Sequence, residues 1–182
     1  MDLLIKIQNK TANIGIIGLG YVGLPLGLEF ALKGFNVIGF DVDERKIPIL
    51  NSGKGYIKHI DEKRIKAAVE SGKFSATSDF SRLPEADAVI ICVPTPLNEH
   101  REPDMTYIEQ TAEVISKYLR KGQLISLEST TYPGTTDELL LPMFENAPAI
   151  QVKIHKSKIK NEEFAVAGIP EESVLPDTAN GI

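Results

Sequence analysis

Three glycines, Gly18, Gly20 and Gly23, stand at GxGxxG spacing at the end of the apolar run Asn13 to Gly18 (NIGIIG) and at the mouth of a nearly all-apolar segment, Tyr21 to Lys33. A strand, a tight turn and a helix that starts hard against that strand require this spacing. Gly18 permits the turn, Gly20 leaves the backbone uncovered, and Gly23 lets the helix approach the strand. The amides at such a helix start carry roughly half a positive charge, so an anion is held there by backbone donors without a lysine. Taken alone, the spacing also fits an ordinary glycine-rich turn. The pattern of the remaining chain separates the two.

Apolar runs bounded by Gly, Pro, Asn and Asp alternate with segments of helical period, which predicts an α/β Rossmann fold: a doubly wound, mostly parallel sheet with helices on both faces. After the first helix, closed by Gly34, a second strand runs from Asn36 to Phe40, and Asp43 can cap a short helix through Leu50. Asn51 to Ile60 reads as a loop, Asp61 to Glu70 as a charged helix, and Phe74 to Ala76 as a short strand. Asp87 to Val93 (DAVIICV) is a buried central strand. From Asp104, which can serve as an N-cap, to Leu119 the residues Ile108, Ala112, Ile115 and Leu119 fall on one helical face. Gln123 to Leu127 is a strand, Pro133 and Gly134 introduce a helix through Phe144, and Phe164 to Ala167 can supply one more strand.

Asp41 closes the second strand eighteen residues after Gly23, where a carboxylate can grip the adenosine ribose hydroxyls of a dinucleotide; a helix cap is the structural alternative. In the first role it selects NAD, because a 2′-phosphate about 4 Å from this charge is repelled by roughly 4 kcal/mol at a surface-like dielectric. Arg45 and Lys46 lie near enough to soften that preference. Two other strand ends reach the same sheet edge. Pro94, Thr95 and Pro96 either hold the Thr95 hydroxyl toward the nicotinamide or a water, or form a rigid strand exit with no chemistry. Glu128, after Leu127, reads as a catalytic carboxylate or as a cap. Cys92 lies inside an apolar strand and reads as a packing residue. His59, His100 and His155 read as surface residues without metal-ligand spacing, so no metal is expected.

Composition narrows the partners. With 42% apolar residues and a net charge of -5, the chain can bury a continuous core but offers no broad basic surface for nucleic acid or anionic lipid. One cysteine forms no internal disulfide, and the first ten residues hold only a five-residue apolar stretch broken by Lys6, so a reducing cytoplasm is expected, without secretion or a membrane span.

With these residues assembled, the chain resembles the UDP-glucose/GDP-mannose dehydrogenase family, in particular its UDP-N-acetylglucosamine and UDP-N-acetylmannosamine 6-dehydrogenases. The likeness rests on IGIIGLGYVGLPLGLEFALKGFNVIGFDVD (Ile14 to Asp43), VIICVPTPLNEHREPDMTYIE (Val89 to Glu109) and LISLESTTYPGTTDELLLP (Leu124 to Pro142). It is strong over residues 1 to 145. Beyond them EEFAVAGIPEESVLP (Glu162 to Pro176) is similar to the family's last Rossmann strand and Pro-Glu loop, but Glu172 replaces the usual arginine, so no role carries to Glu171. The resemblance implies oxidation of the C6 alcohol of a UDP-sugar to a carboxylate in two hydride transfers, each to NAD, through a cysteine-bound thiohemiacetal and thioester. By residue match, Gly18, Gly20, Tyr21, Val22, Gly23, Asp41, Lys46 and Pro94 would hold NAD. Thr95 and Glu128 would line its reacting end, Glu128 activating the water that hydrolyses the thioester and Thr95 orienting it.

The family's GGxCxPKD-like cysteine motif, its long central helix with the main dimer contact, and its sugar domain do not occur in the 182 residues. A cofactor-binding half is therefore expected, with residues 1–146 as the Rossmann domain and 147–182 as a divergent tail, binding NAD without turnover. A stand-alone NAD-sensing module is the competing expectation. The segments PTPLNEHREPD and ESTTYPGTT argue against a Rossmann dehydrogenase of the 3-hydroxyacyl-CoA or 6-phosphogluconate type. The purified chain, mixed with NAD and a UDP-sugar, should give no rise in NADH absorbance. Steady NADH formation in that mixture would contradict the expectation of binding without turnover.

Overall fold

The computed structural model describes residues 3–97, 103–145 and 147, and the backbone of 164–168. A short helix α1 (Leu3–Gln8) precedes β1 (Asn13–Ile17), α2 (Gly23–Leu32) and β2 (Asn36–Phe40). There follow α3 (Lys46–Asn51), α4 (Glu62–Glu70), β3 (Phe74–Thr77), a 3-10 turn (Phe80–Glu85) and β4 (Ala88–Ile91). The chain continues through α5 (Thr106–Tyr118), β5 (Gln123–Leu127), a π-helical stretch (Thr136–Leu140), α6 (Leu141–Glu145) and β6 (Phe164–Gly168).

The strands form one six-stranded sheet in the order β3-β2-β1-β4-β5-β6, with every pairing parallel. This is the Rossmann order, and its reversal lies between β1 and β4. The alternation of side chains along each strand builds two cores, one per face. Ile14, Ile16, Val37 and Phe74 pack with Leu24, Leu28 and Ala31 of α2 and Ile65 of α4. Ile17, Phe40, Val89, Ile91 and Ile125 pack on the other face with Ile108, Ala112 and Ile115 of α5 and with Phe144 of α6. Such two-sided burial is why β4 and β1 read as unbroken apolar runs. None of the described helices is long and apolar enough to cross a membrane.

Local chemistry explains where the elements start and stop. Gly34 (φ +99°) takes the left-handed conformation that ends α2. α2 begins at Gly23, two residues later than its apolar pattern starts, because Tyr21 and Val22 belong to the glycine turn. Asp61 caps α4 by accepting from Lys63 N at 2.9 Å. Asp104 also accepts a helix-start amide, Thr106 N at 3.0 Å, but the helix boundary residue is Met105, one position later than the sequence pattern suggests. The last helix is not regular. Pro142 has no N–H, and its ring would crowd a carbonyl one turn back, a conflict that the widened π-helical turn just before it relieves.

A buried acid fastens the amino-terminal edge of the sheet. Asp87, just before β4 and 4% exposed, accepts from Lys6 Nζ of α1 (2.6 Å), Arg120 Nη2 (2.9 Å) and Asn13 N (3.0 Å). Beside it the buried Gln123 donates to the carbonyls of Leu83 (2.9 Å) and Ala86 (2.8 Å). Burial alone would raise the Asp87 pKa; the donors outweigh it and hold the carboxyl below the ordinary carboxylate range. The knot also docks α1, which presents no helical pattern long enough to be read from the sequence. Because the folded-state pKa is depressed, its contribution is complete above the unfolded value, about 3.9, and is lost as pH falls through the folded value. Asp87→Asn should cost about 2–3 kcal/mol at neutral pH, lowering Tm by roughly 5–10 °C. In calorimetry at a series of pH values the gap to wild type should be constant near pH 7 and narrow below about pH 4; a gap that widens in acid would contradict the sign.

Candidate functional site

The glycine turn crosses the carboxyl edge of the sheet at the reversal between β1 and β4, where ligands of open α/β sheets bind. Each glycine has a different physical reason. Gly18 (φ +92°) continues the β1–β2 ladder through its amide to Phe40 O (2.8 Å), and a Cβ there would meet Cys92 O at 2.6 Å. A Cβ on Gly23 would fall 1.9 Å from Gly18 O, so only glycine lets α2 begin this close to the strand. A Cβ on Gly20 would touch nothing within 4 Å. Its bareness serves no packing purpose within the protein. Leu19, between them, is fully buried and lies over Gly39 of β2, where a Cβ would meet its Cδ2 at 2.7 Å.

The first bond of the α2 turn is donated by Leu24 N to Gly20 O at 3.2 Å. Among the described residues, the amides of Gly20, Tyr21, Val22 and Gly23 make no hydrogen bond, and the Tyr21 and Val22 side chains are largely exposed. Free donors at a helix start beside an uncovered glycine have the polarity that an anion such as a diphosphate needs.

Asp41 joins this turn to the neighbouring strand. Its carboxylate is 5% exposed. Oδ2 accepts from Leu19 N (2.9 Å) and Lys46 Nζ (2.7 Å), and Oδ1 accepts from Asp43 N (2.9 Å). A carboxylate offers about four acceptor positions, so roughly one, on Oδ1, is left for an outside donor. Asp41 does not cap α3, whose boundary residue is Arg45; its bond from Asp43 N closes a local turn at the β2 exit. Asp43, on the surface, pairs with Arg45 through two side-chain bonds (2.8 and 2.9 Å), and that guanidinium holds its pKa down to about 2. Asp43 also accepts from Arg45 N (3.1 Å), just ahead of α3.

Sequence reasoning missed Tyr56. Its hydroxyl donates to Leu19 O, and its ring lies under Lys46 Nζ, 5.6 Å from the centroid. A lone aromatic in the polar stretch Asn51 to Ile60 was the only signal, and the contact spans 37 positions.

The other strand exits converge on the same edge. Glu128 N donates to Ile91 O (2.8 Å), and Ser129 Oγ donates to Val93 O (2.8 Å), tying the β5 exit to the β4 exit that carries Pro94 and Thr95. Glu128 is half-buried and its Oε1 accepts from Ser126 Oγ at 2.7 Å; Thr95 is half-buried and Pro94 exposed. A cleft of about 380 Å³ opens beside Glu128, bounded by Ser129, Thr131, Tyr132 and Asp137. Cys92 is buried against this region, and burial together with the Glu128 charge pushes its thiol up to about 12, which leaves it protonated and unreactive. His59 is exposed, whereas His100, His155, Glu171 and Glu172 lie outside the described residues.

Sheet order, free amides and the anchored acid together define a dinucleotide-binding domain. Residues 12–180 match the family model described as UDP-glucose/GDP-mannose dehydrogenase family, NAD binding domain, and the chain belongs to that family, with NAD as the cofactor of the domain. It is 35% identical over 167 residues to the UDP-N-acetyl-D-glucosamine 6-dehydrogenase of Pseudomonas aeruginosa, covering 92% of this chain and 36% of the relative. It is 39% identical over 178 residues to the NDP-N-acetyl-D-galactosaminuronic acid dehydrogenase of Ralstonia nicotianae, covering 97% of this chain and 40% of that one. Among solved structures, the NDP-N-acetyl-D-galactosaminuronic acid dehydrogenase of Methanosarcina mazei Go1 superposes with a TM-score of 0.75 at 33% identity, over 92% of this chain and 37% of that one. The chain thus spans between a third and two fifths of the length of these relatives.

The two helix-side glycines should separate in a thermal melt. Gly23→Ala, whose Cβ meets backbone, should cost about 3 kcal/mol or more and lower Tm by at least ~6 °C. Gly20→Ala should leave Tm within about 2 °C. Equal Tm values for the two variants would contradict the assigned packing.

Proposed function

We propose that this chain is the cofactor-holding part of a nucleotide-sugar 6-dehydrogenase, an enzyme that oxidises the C6 alcohol of a UDP-hexose to a carboxylate. The observation that carries the reading is the Leu19 N to Asp41 Oδ2 bond of 2.9 Å, which ties the cradle of free amides to the acid one strand away. In this reading the amides of Gly20, Tyr21, Val22 and Gly23 hold the diphosphate. The open position on Asp41 Oδ1 then takes a hydroxyl of the adenosine ribose, with Lys46 held on Oδ2 of the same carboxylate. Pro94 and Thr95 line the far end of the cofactor. A bound NAD would supply the oxidising power there, one molecule for each of the two two-electron oxidations.

Glu128 is the group for proton work. Its carboxylate accepts from Ser126 Oγ at 2.7 Å beside an open cleft, so it can take a proton from a water that attacks an acyl intermediate, with the Thr95 hydroxyl orienting that water. Such assistance is typically worth ~10²- to 10⁴-fold. Residues 1–146 form the body of the domain in this reading, and 147–182 close it through β6 against β5, a pairing from Gln123↔Phe164 to Leu127↔Gly168. A cytoplasmic setting, a UDP-N-acetylhexose substrate, dimer formation by the whole enzyme and a place in polysaccharide biosynthesis belong to the same proposal; the substrates for which the relatives are named support its sugar chemistry.

Titration with NAD in a calorimeter tests the cradle. Wild type should bind, and Gly20→Val, which places bulk in the open position without touching the protein core, should weaken binding at least about ten-fold while leaving Tm within a few degrees. Unchanged affinity in that variant would remove the diphosphate from this turn.

A further inference from the structure

Tyr56 is half-buried against the α2-side core and has two further contacts, with the glycine turn and with Lys46. Its hydroxyl is anchored on Leu19 O, the carbonyl in the middle of the glycine turn, so the ring has a fixed position. Lys46 Nζ lies 5.6 Å from the centre of that ring and 2.7 Å from Asp41 Oδ2. The lysine side chain is 28% exposed and the aspartate 6%, so the ammonium is held between a ring face and a carboxylate rather than projecting into solvent. Arg45, the neighbouring cation, is engaged by Asp43 through two bonds at the surface. The cation nearest Asp41 is therefore committed to it.

We propose that Tyr56 is a specificity-determining residue: by holding Lys46 on Asp41 it withholds the lysine from a 2′-phosphate and so sets the preference for a dinucleotide that lacks one. The proposal rests on the reading of Asp41 as the ribose site. Its physical content is an order of charges. With Lys46 on Asp41 a 2′-phosphate meets no free cation and a carboxylate only partly screened by the lysine, and is disfavoured. Remove the ring, and the flexible lysine is free to swing to the phosphate. Remove the lysine, and the phosphate meets the uncompensated carboxylate.

The two changes therefore move the ratio of NADP to NAD dissociation constants in opposite directions, whereas a merely structural loss would weaken both ligands alike. Measured by calorimetric titration of the whole chain, Tyr56→Leu should lower the ratio about three-fold, the size of a lost cation–π contact. Lys46→Met should raise it about ten-fold. The double variant should match Lys46→Met, because Tyr56 acts only through the lysine. Tyr56→Phe keeps the ring and should keep the ratio, with both affinities reduced by loosening of the turn. A ratio unmoved by Lys46→Met or by Tyr56→Leu, or lowered equally by Tyr56→Leu with and without the lysine, overturns the proposal; should Tyr56→Leu not fold, Tyr56→Met carries the same test. Failure of the site reading itself is distinct, since it shows as NAD binding unaffected by Gly20→Val.

Discussion

Everything at the ligand edge of this domain turns on one carboxylate. Asp41 accepts from a turn amide, from an amide at its own strand exit and from an ammonium of the next helix, and with 5% exposure it does so largely out of water. Buried, an ionised acid is costly unless its lone pairs are satisfied, and these three donors satisfy most of them. The same bonds fix the turn. Leu19 cannot move without breaking the bond to Asp41, and its buried side chain over Gly39 prevents the turn from lifting off β2. The bare amides from Gly20 to Gly23 are in this way presented in one conformation before any ligand arrives, so little ordering cost falls on binding.

A second buried acid serves the opposite edge. Asp87 collects α1, the start of β1 and Arg120 at the amino-terminal ends of the central strands, far from the glycine turn in the sheet. The two acids divide the work by position. Asp87 takes its three donors from α1, β1 and Arg120 and holds the layers together, whereas Asp41, with as many donors, has its open acceptor position at the edge where ligands of such sheets bind.

Much of this was legible in the sequence because the controlling interactions are local or periodic. The glycine spacing, the β2 stop at Asp41 and the apolar stripe of α5 all depend on neighbours within a turn or a strand, and all appear where the pattern places them. What escaped was non-local or compensatory. Tyr56 reaches Leu19 across 37 positions, and Lys6 reaches Asp87 across 81, distances at which no periodic pattern carries information. The π-helical turn before Pro142 answers a backbone conflict that propensity alone does not express. The three internal partners of Asp41 were hidden for a different reason, since an acid at a strand end offers the same lone pairs to any amide or ammonium.

The central claim is that the free amides of the glycine turn receive the cofactor. Amide-resolved NMR spectra of the uniformly ¹⁵N-labelled chain, recorded as NAD is added, test it directly. The account predicts the largest shifts at the amides of Gly20, Tyr21, Val22 and Gly23, with Leu19 responding through its bond to Asp41. Saturable shifts confined to another part of the sheet, with these amides unmoved, would contradict it.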